Sequence, residues 1–136
     1  MLETFETVAK AVADPSRLRI LKLLEGGELC VCQITTVLDL AAATVSKHLA
    51  LLKTAGLLQQ RREGKWVYYR LADRALTPHA PAFLSLVAAA LTGDPTIAAD
   101  RALLARVNAV PLARICAQGR SALQDDPSPL CCGSAS

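Results

Sequence analysis

The chain has 136 residues, 52% hydrophobic and 20% charged, with a formal net charge of +3. That length fits one domain with its own core, and the apolar fraction excludes a disordered chain. Asp, Arg, Lys or Pro interrupts every apolar run before it reaches the length of a membrane span, so no membrane partner is expected.

The start, Met1-Leu2-Glu3-Thr4-Phe5-Glu6, is acidic and has no basic segment leading into an apolar run. A secretory signal is therefore not expected, and the cytoplasm is the expected location. Phe5, Val8, Ala9 and Val12 recur at helical spacing, which predicts a helix over 3–13. Asp14 can cap a second helix with Pro15 at its first position, running through Leu24 to the stop at Gly26-Gly27. A third, short helix is predicted over about 30–38, with Val31, Ile34, Val37 and Leu38 inside. After the turn at Asp39-Leu40, a fourth runs from about Ala42 to Ala55, with Val45, Leu49 and Leu52 as its inner stripe and Gly56 at its end.

The period then changes. Residues 57–62 and 66–71 read as strands, with Glu63-Gly64-Lys65 as a three-residue loop between them. A helix rich in Ala and Leu returns over about 76–92, and Thr92-Gly93-Asp94-Pro95 breaks it. Residues 96–122 read as helical with an interruption at Pro111. Two short helices across a tight turn, followed by a hairpin, make a winged helix-turn-helix. The expected class is mainly α with a small β-hairpin, and dimeric. Residues 1–93 are expected to form the DNA-binding and dimerisation domain, 94–123 a helical extension and 124–136 a flexible tail carrying cysteines.

Charge is concentrated where that motif needs it. Residues 42–71 hold six basic side chains and one acid, a local +5 against +3 overall, which leaves −2 elsewhere. A basic helix-turn-helix with a basic wing is the footprint of a DNA-binding surface. Thr44, Ser46, Lys47 and His48 sit early in the fourth helix, where base edges and phosphates are met. Lys53 continues that helix, and Arg61, Arg62 and Lys65 surround the hairpin tip. His48 reads equally well as a packed residue or a phosphate contact.

The five cysteines, an odd number, do not suggest a closed disulfide framework; in a reducing compartment clustered thiols point to metal binding or catalysis. Cys30 and Cys32, two apart, converge on one soft ion if they open a helix, where unpaired N–H groups and the dipole favour negative charge. Alone, the pair reads equally well as two small buried hydrophobes.

Together these segments resemble the ArsR/SmtB family of metalloregulatory repressors. Asp14-Pro15-Ser16-Arg17-Leu18-Arg19-Ile20-Leu21 looks like that family's second-helix signature, and Glu28-Leu29-Cys30-Val31-Cys32 like its arsenic metal box. Residues 45–53, Gly56-Leu57-Leu58, Arg61-Arg62-Glu63-Gly64 and Trp66-Val67-Tyr68-Tyr69-Arg70-Leu71 look like its recognition helix and wing. The resemblance covers roughly residues 3–92. It implies a homodimer on operator double-stranded DNA, released when As(III) or Sb(III) binds Cys30 and Cys32, with a coupling on the order of 1–3 kcal/mol. No permanent cofactor is implied.

The chain also departs from the family. Members with three thiolates in the metal box carry the third at the position of Thr35 here, and a hydroxyl is a poor soft ligand. Either the site keeps only two protein thiolates, or the third sulfur comes from elsewhere, with Cys131 and Cys132 the expected donors. Cys116 is second choice, reading better as a helix-core thiol. Where the family often has Ser-Gln-Pro, this chain has Ala41-Ala42-Ala43, which loses a cap and a base contact. Asp73, His79 and Ser85 do not complete the family's zinc-type site, and no cysteine precedes Cys30, which argues against the cadmium/lead branch. The alternative signals are Cd(II) or Pb(II), for which Cys30, Cys32, Cys131 and Cys132 make four thiolates, and thiol oxidation. A thiol-dependent reductase is set aside, since the chain offers no cofactor loop and few general bases.

Overall fold

The structure, a computed structural model, describes residues 1–124. Cys131, Cys132 and the rest of the expected tail lie outside the described residues. In chain order the elements are α1 (Leu2–Val12), α2 (Pro15–Leu24), β1 (Leu29–Cys30), α3 (Val31–Leu38), α4 (Ala42–Thr54), β2 (Leu58–Glu63), β3 (Trp66–Leu71), α5 (Ala80–Ala89), α6 (Pro95–Asn108), α7 (Leu112–Gln118) and α8 (Ser121–Gln124).

Local chemistry sets most of these boundaries. Asp14 Oδ2 accepts from Arg17 N–H at 3.0 Å, and Pro15 supplies a helical φ at the first position of α2. The same device recurs at α6, where Asp94 Oδ1 accepts from Thr96 N–H at 2.9 Å and from Ile97 N–H at 3.2 Å. Asp39 ends α3 in the left-handed region (φ 56°), which a short polar side chain tolerates. Across Asp39-Leu40-Ala41 the chain bends by 115°, within the range of a helix-turn-helix. Ala41 caps α4 without a side-chain bond. Ala41→Ser adds an acceptor for the first-turn N–H groups and is expected to raise stability by about 1 kcal/mol, read as a later midpoint in urea unfolding.

The structure changes four sequence expectations. The sheet has three antiparallel strands, in the order β1-β3-β2, rather than two. Leu29 pairs with Tyr69 and Cys30 with Tyr68; two residues are too short a run to carry a period-2 signal. Glu63 pairs with Trp66, so the hairpin loop is two residues, Gly64-Lys65, with Gly64 at φ 63°. The helix expected over 76–92 is limited to Ala80–Ala89. Pro78 disfavours helical backbone at Thr77, whose Oγ1 instead donates to Ala55 O at 2.7 Å. At the other end, buried Lys22 donates from Nζ to the carbonyls of Val87 at 3.0 Å and Ala90 at 2.9 Å and so terminates α5. Residues 96–122 divide into α6, α7 and α8, with Pro111 as the first break.

The core lies where α2, α3 and α4 meet the sheet. Ile20, Ile34, Val37, Val45, Leu49 and Leu52 have almost no exposure, including the whole predicted inner stripe of α4. Each such side chain contributes roughly 1.5–3 kcal/mol by leaving water. Gly56 (φ 83°) is required beside this core, because a Cβ there would lie 2.7 Å from the Thr77 side chain. The extension joins the same core: α6 packs on α2 and α3, α7 packs on α3, and Val107, Ile115, Ala122 and Leu123 are buried with it. Among the described residues no single helix is long and apolar enough to cross a membrane.

Candidate functional site

Cys30 ends β1 and is the N-cap of α3, with extended backbone (φ −75°, ψ 148°). Its N–H donates to Gln33 Oε1 at 2.9 Å, one half of a capping box, and Gln33 Nε2 donates to Asn108 Oδ1 of α6 at 3.0 Å. Sheet pairing with Tyr68 and 1% exposure fix Cys30 firmly. Cys32 follows in the first turn of α3.

Cys116 of α7 comes to meet them. One sulfur from each of Cys30, Cys32 and Cys116 lies within 4.8 Å of the others. Cys32 and Cys116 are joined as a disulfide across 84 residues, with their Cα atoms 5.0 Å apart, and Cys30 is a free buried thiol. This differs from the sequence expectation, which preferred a core role for Cys116. Reduced, the set suits an ion that takes three thiolates in a pyramid. A tetrahedral ion needs a fourth donor, and among the described residues the group contains none. A cavity of about 270 Å³ opens beside Cys30 and Cys32, bounded also by Ser46 of α4, Gln60 of β2, and Lys65 and Trp66. A second cavity of about 250 Å³ joins Lys65 and Trp66 to Cys116.

The basic surface divides in two. Thr44, Ser46 and Lys47 are exposed in the first two turns of α4, and Lys47 and Arg62 form no ion pair among the described residues. Lys65 is exposed beside the Trp66 ring, 5.9 Å from its centroid. The other three are engaged within the fold. His48 is half-buried with Nδ1 3.2 Å from Arg17 Nη1, while Arg17 Nε donates to Ala11 O at 2.7 Å, so the His48 ring is tied to α2. Lys53 Nζ donates to Gln60 Oε1 at 2.7 Å and ties α4 to β2. Arg61 donates to both carboxylate oxygens of Glu28 at 2.8 and 2.7 Å and to Glu63 at 2.6 Å, with its guanidinium 4.4 Å from the Tyr68 ring centroid. The bonds to Glu28, then those to Glu63, raise the Arg61 pKa above its ordinary value. Arg61 therefore links the wing to the residue just before the cysteine pair.

The arsR family of bacterial regulatory proteins matches residues 14–60, from the cap of α2 to the middle of β2. The arsenical resistance operon repressor of Bacillus subtilis strain 168 is 36% identical over 74 residues, 54% of this chain and 70% of that protein. The chain belongs to the ArsR family. The arsenical resistance operon repressor of Escherichia coli K12 is similar at 49% identity over 79 residues, 57% of this chain and 63% of that protein. The arsenic resistance regulator ArsR1 of Pseudomonas putida KT2440 matches at 51% over 65 residues, 47% of this chain and 51% of that protein. The chain thus spans less than two thirds of the length of these last two relatives. The solution structure of a homodimeric winged helix-turn-helix DNA-binding domain from Mycobacterium bovis matches with TM-score 0.55 and 38% identity, covering 65% of this chain and 78% of that one.

ArsR-family proteins are DNA-binding transcriptional regulators rather than enzymes, and α3 and α4 are the two helices of this chain's helix-turn-helix. Sequence reasoning ranked Cys116 only second as a third donor, and it missed the Glu28–Arg61 pair, 33 residues apart. Neither has a local signature. The one hint was compositional, an acid directly before the cysteine pair and a cation cluster in the wing.

Proposed function

We propose that this chain is an arsenic-responsive repressor of the ArsR family. As a homodimer it holds operator DNA when free of inducer and releases it when As(III), or Sb(III), binds the thiolates of Cys30 and Cys32. One observation carries this reading. The thiols open α3, the first helix of the helix-turn-helix, beside a cavity whose far walls are Ser46 of α4 and Lys65 and Trp66 of the wing. An ion held there bears on both DNA-facing elements, and a ligand preferring one arrangement of them shifts the population towards it. The names of the E. coli and B. subtilis relatives support the choice of metalloid.

An apolar surface supports the dimer. Leu2 (81% exposed), Phe5 (47%) and Leu86 (63%) stand out from α1 and α5. The extension packs on α2 and α3, and among the described residues these three side chains stay exposed. The same reading places the protein in the cytoplasm, with no membrane partner.

The test is fluorescence anisotropy of labelled upstream DNA with reduced protein, titrated with arsenite and, separately, with cadmium. Release by low arsenite is the expected result, and DNA binding indifferent to arsenite would overturn the inducer. Lys47→Ala and Arg62→Ala are each expected to weaken binding to all sequences alike. Each lost phosphate contact lowers the slope of log K against log salt by about 0.9. An unchanged slope in either variant would remove that side chain from the interface.

The Cys32–Cys116 disulfide supports a second reading, in which oxidation is the signal. Peroxide in the same titration separates the two. Cadmium or lead would draw a fourth thiolate from Cys131 or Cys132.

A further inference from the structure

We infer that Cys116 supplies the third sulfur of the inducer site, which makes α7 a ligand-bearing arm lying along α3. This rests on the reading of Cys30 and Cys32 as inducer thiols, and adds to it a donor from a part of the chain beyond the helix-turn-helix.

The metal box itself lacks a third soft donor. Thr35 stands at that position, and its buried Oγ1 has no hydrogen-bond partner among the described residues. Cys116, by contrast, already has its sulfur within 4.8 Å of both others. Its approach does not depend on the disulfide alone. Arg120, just past α7, donates from Nε to Thr36 O at 2.9 Å and from Nη2 to Val37 O at 3.0 Å. These carbonyls belong to the last turn of α3, where a cation is favoured. Ile115, Ala122 and Leu123 are buried at 1%, 0% and 6% exposure. The arm is thus seated at the far end of α3 and in the core, and Cys116 stays beside Cys32 when the sulfur–sulfur bond opens.

The chemistry balances. A dithiol reductant gives two electrons and two protons to the Cys32–Cys116 bond and itself becomes a disulfide. Three thiols then meet arsenous acid. Three As–O bonds break and three As–S bonds form. The three hydroxyls leave as water with the three thiol protons, and arsenic stays trivalent.

The experiment uses the reduced full chain loaded with arsenite. Alkylation followed by mass spectrometry is expected to find Cys30, Cys32 and Cys116 protected and Cys131 and Cys132 modified. X-ray absorption is expected to find three sulfur neighbours on arsenic in the wild type and in Cys131→Ser/Cys132→Ser, and two with one oxygen in Cys116→Ser. Losing a group that merely hydrogen-bonds a metal ligand costs roughly 10–100-fold in affinity, so Cys116→Ser is expected to lose about 100-fold or more. Trp66, the chain's single tryptophan, lines both cavities and reports the titration by its fluorescence. Protection of Cys131 or Cys132 in place of Cys116, or three sulfurs and wild-type affinity in Cys116→Ser, would overturn the assignment of Cys116 and leave the proposed function standing. A wild type that binds no arsenite would overturn both. The protection pattern needs no variant, so the outcome does not hang on whether Cys116→Ser folds.

Discussion

Asp100→Ala is expected to cost about 3 kcal/mol of folding stability. Asp100 sits on α6 at 6% exposure, and its two oxygens accept from Arg19 Nε at 2.8 Å and Nη2 at 2.9 Å. A forked pair of charge-assisted bonds fixes orientation as well as distance, so α6 is held to α2 in one register. The hydrogen bond to Asp100 also raises the Arg19 pKa, against the lowering effect of burial. Truncation leaves the guanidinium in a site built for two charges. Breaking a buried pair costs about 3–5 kcal/mol. The Arg19 side chain is 26% exposed and regains some water, which places the loss at the lower end. Urea unfolding should show it as an earlier midpoint at unchanged slope, and heating as a fall in Tm on the order of 10 °C. Arg19→Met/Asp100→Leu should recover most of the loss, because two apolar side chains leave no unpaired charge. A single variant within 1 kcal/mol of wild type would mean that α6 is held by its other contacts, among them Ile97, Val107 and the Gln33–Asn108 bond.

The contrast between the α2–α4 segment and the extension shows what a sequence pattern can convey. Val45, Leu49 and Leu52 announce the inner face of α4 through spacing alone, and all three are fully buried. Asp14-Pro15 announces the start of α2 through cap chemistry a few atoms long, and the predicted bond is present. These signals are local, so they survive without knowledge of the rest of the chain. The hairpin was legible as a hairpin, but its loop was read one residue too long, because Glu63 belongs to the ladder and only cross-strand pairing with Trp66 reveals it. Arg19 and Asp100 are 81 residues apart and Cys32 and Cys116 are 84 apart. Nothing near either residue specifies its partner. The site was similarly half legible. Cys30 and Cys32 stand out by spacing, and Lys47 by charge on the expected helix. Whether a side chain is available to DNA depends on what folds against it, and Arg61 and His48 are engaged by Glu28 and Arg17 across 33 and 31 residues.

Cys30→Ser and Cys32→Ser are each expected to raise the arsenite needed for DNA release by more than about 100-fold while leaving DNA affinity intact. The structure explains why serine is the informative replacement. Cys30 is an N-cap, and serine is among the preferred residues there, so the first turn of α3 keeps its geometry. The bond from the residue 30 N–H to Gln33 Oε1 uses only backbone at that position and persists. At residue 32 the carbonyl still accepts from Thr36 Oγ1, at 2.7 Å in the wild type. What each variant loses is one soft donor, and a hydroxyl does not replace it. The pair also separates the two signals. Cys32→Ser removes the partner of Cys116 and should abolish any response to peroxide, whereas Cys30→Ser leaves that disulfide possible. A regulator driven by metalloid loses its response in both variants. One driven by oxidation loses it only in Cys32→Ser. If Cys30→Ser released DNA at wild-type arsenite levels, the inducer would have to bind elsewhere, and Cys30 would be no more than the residue that starts α3.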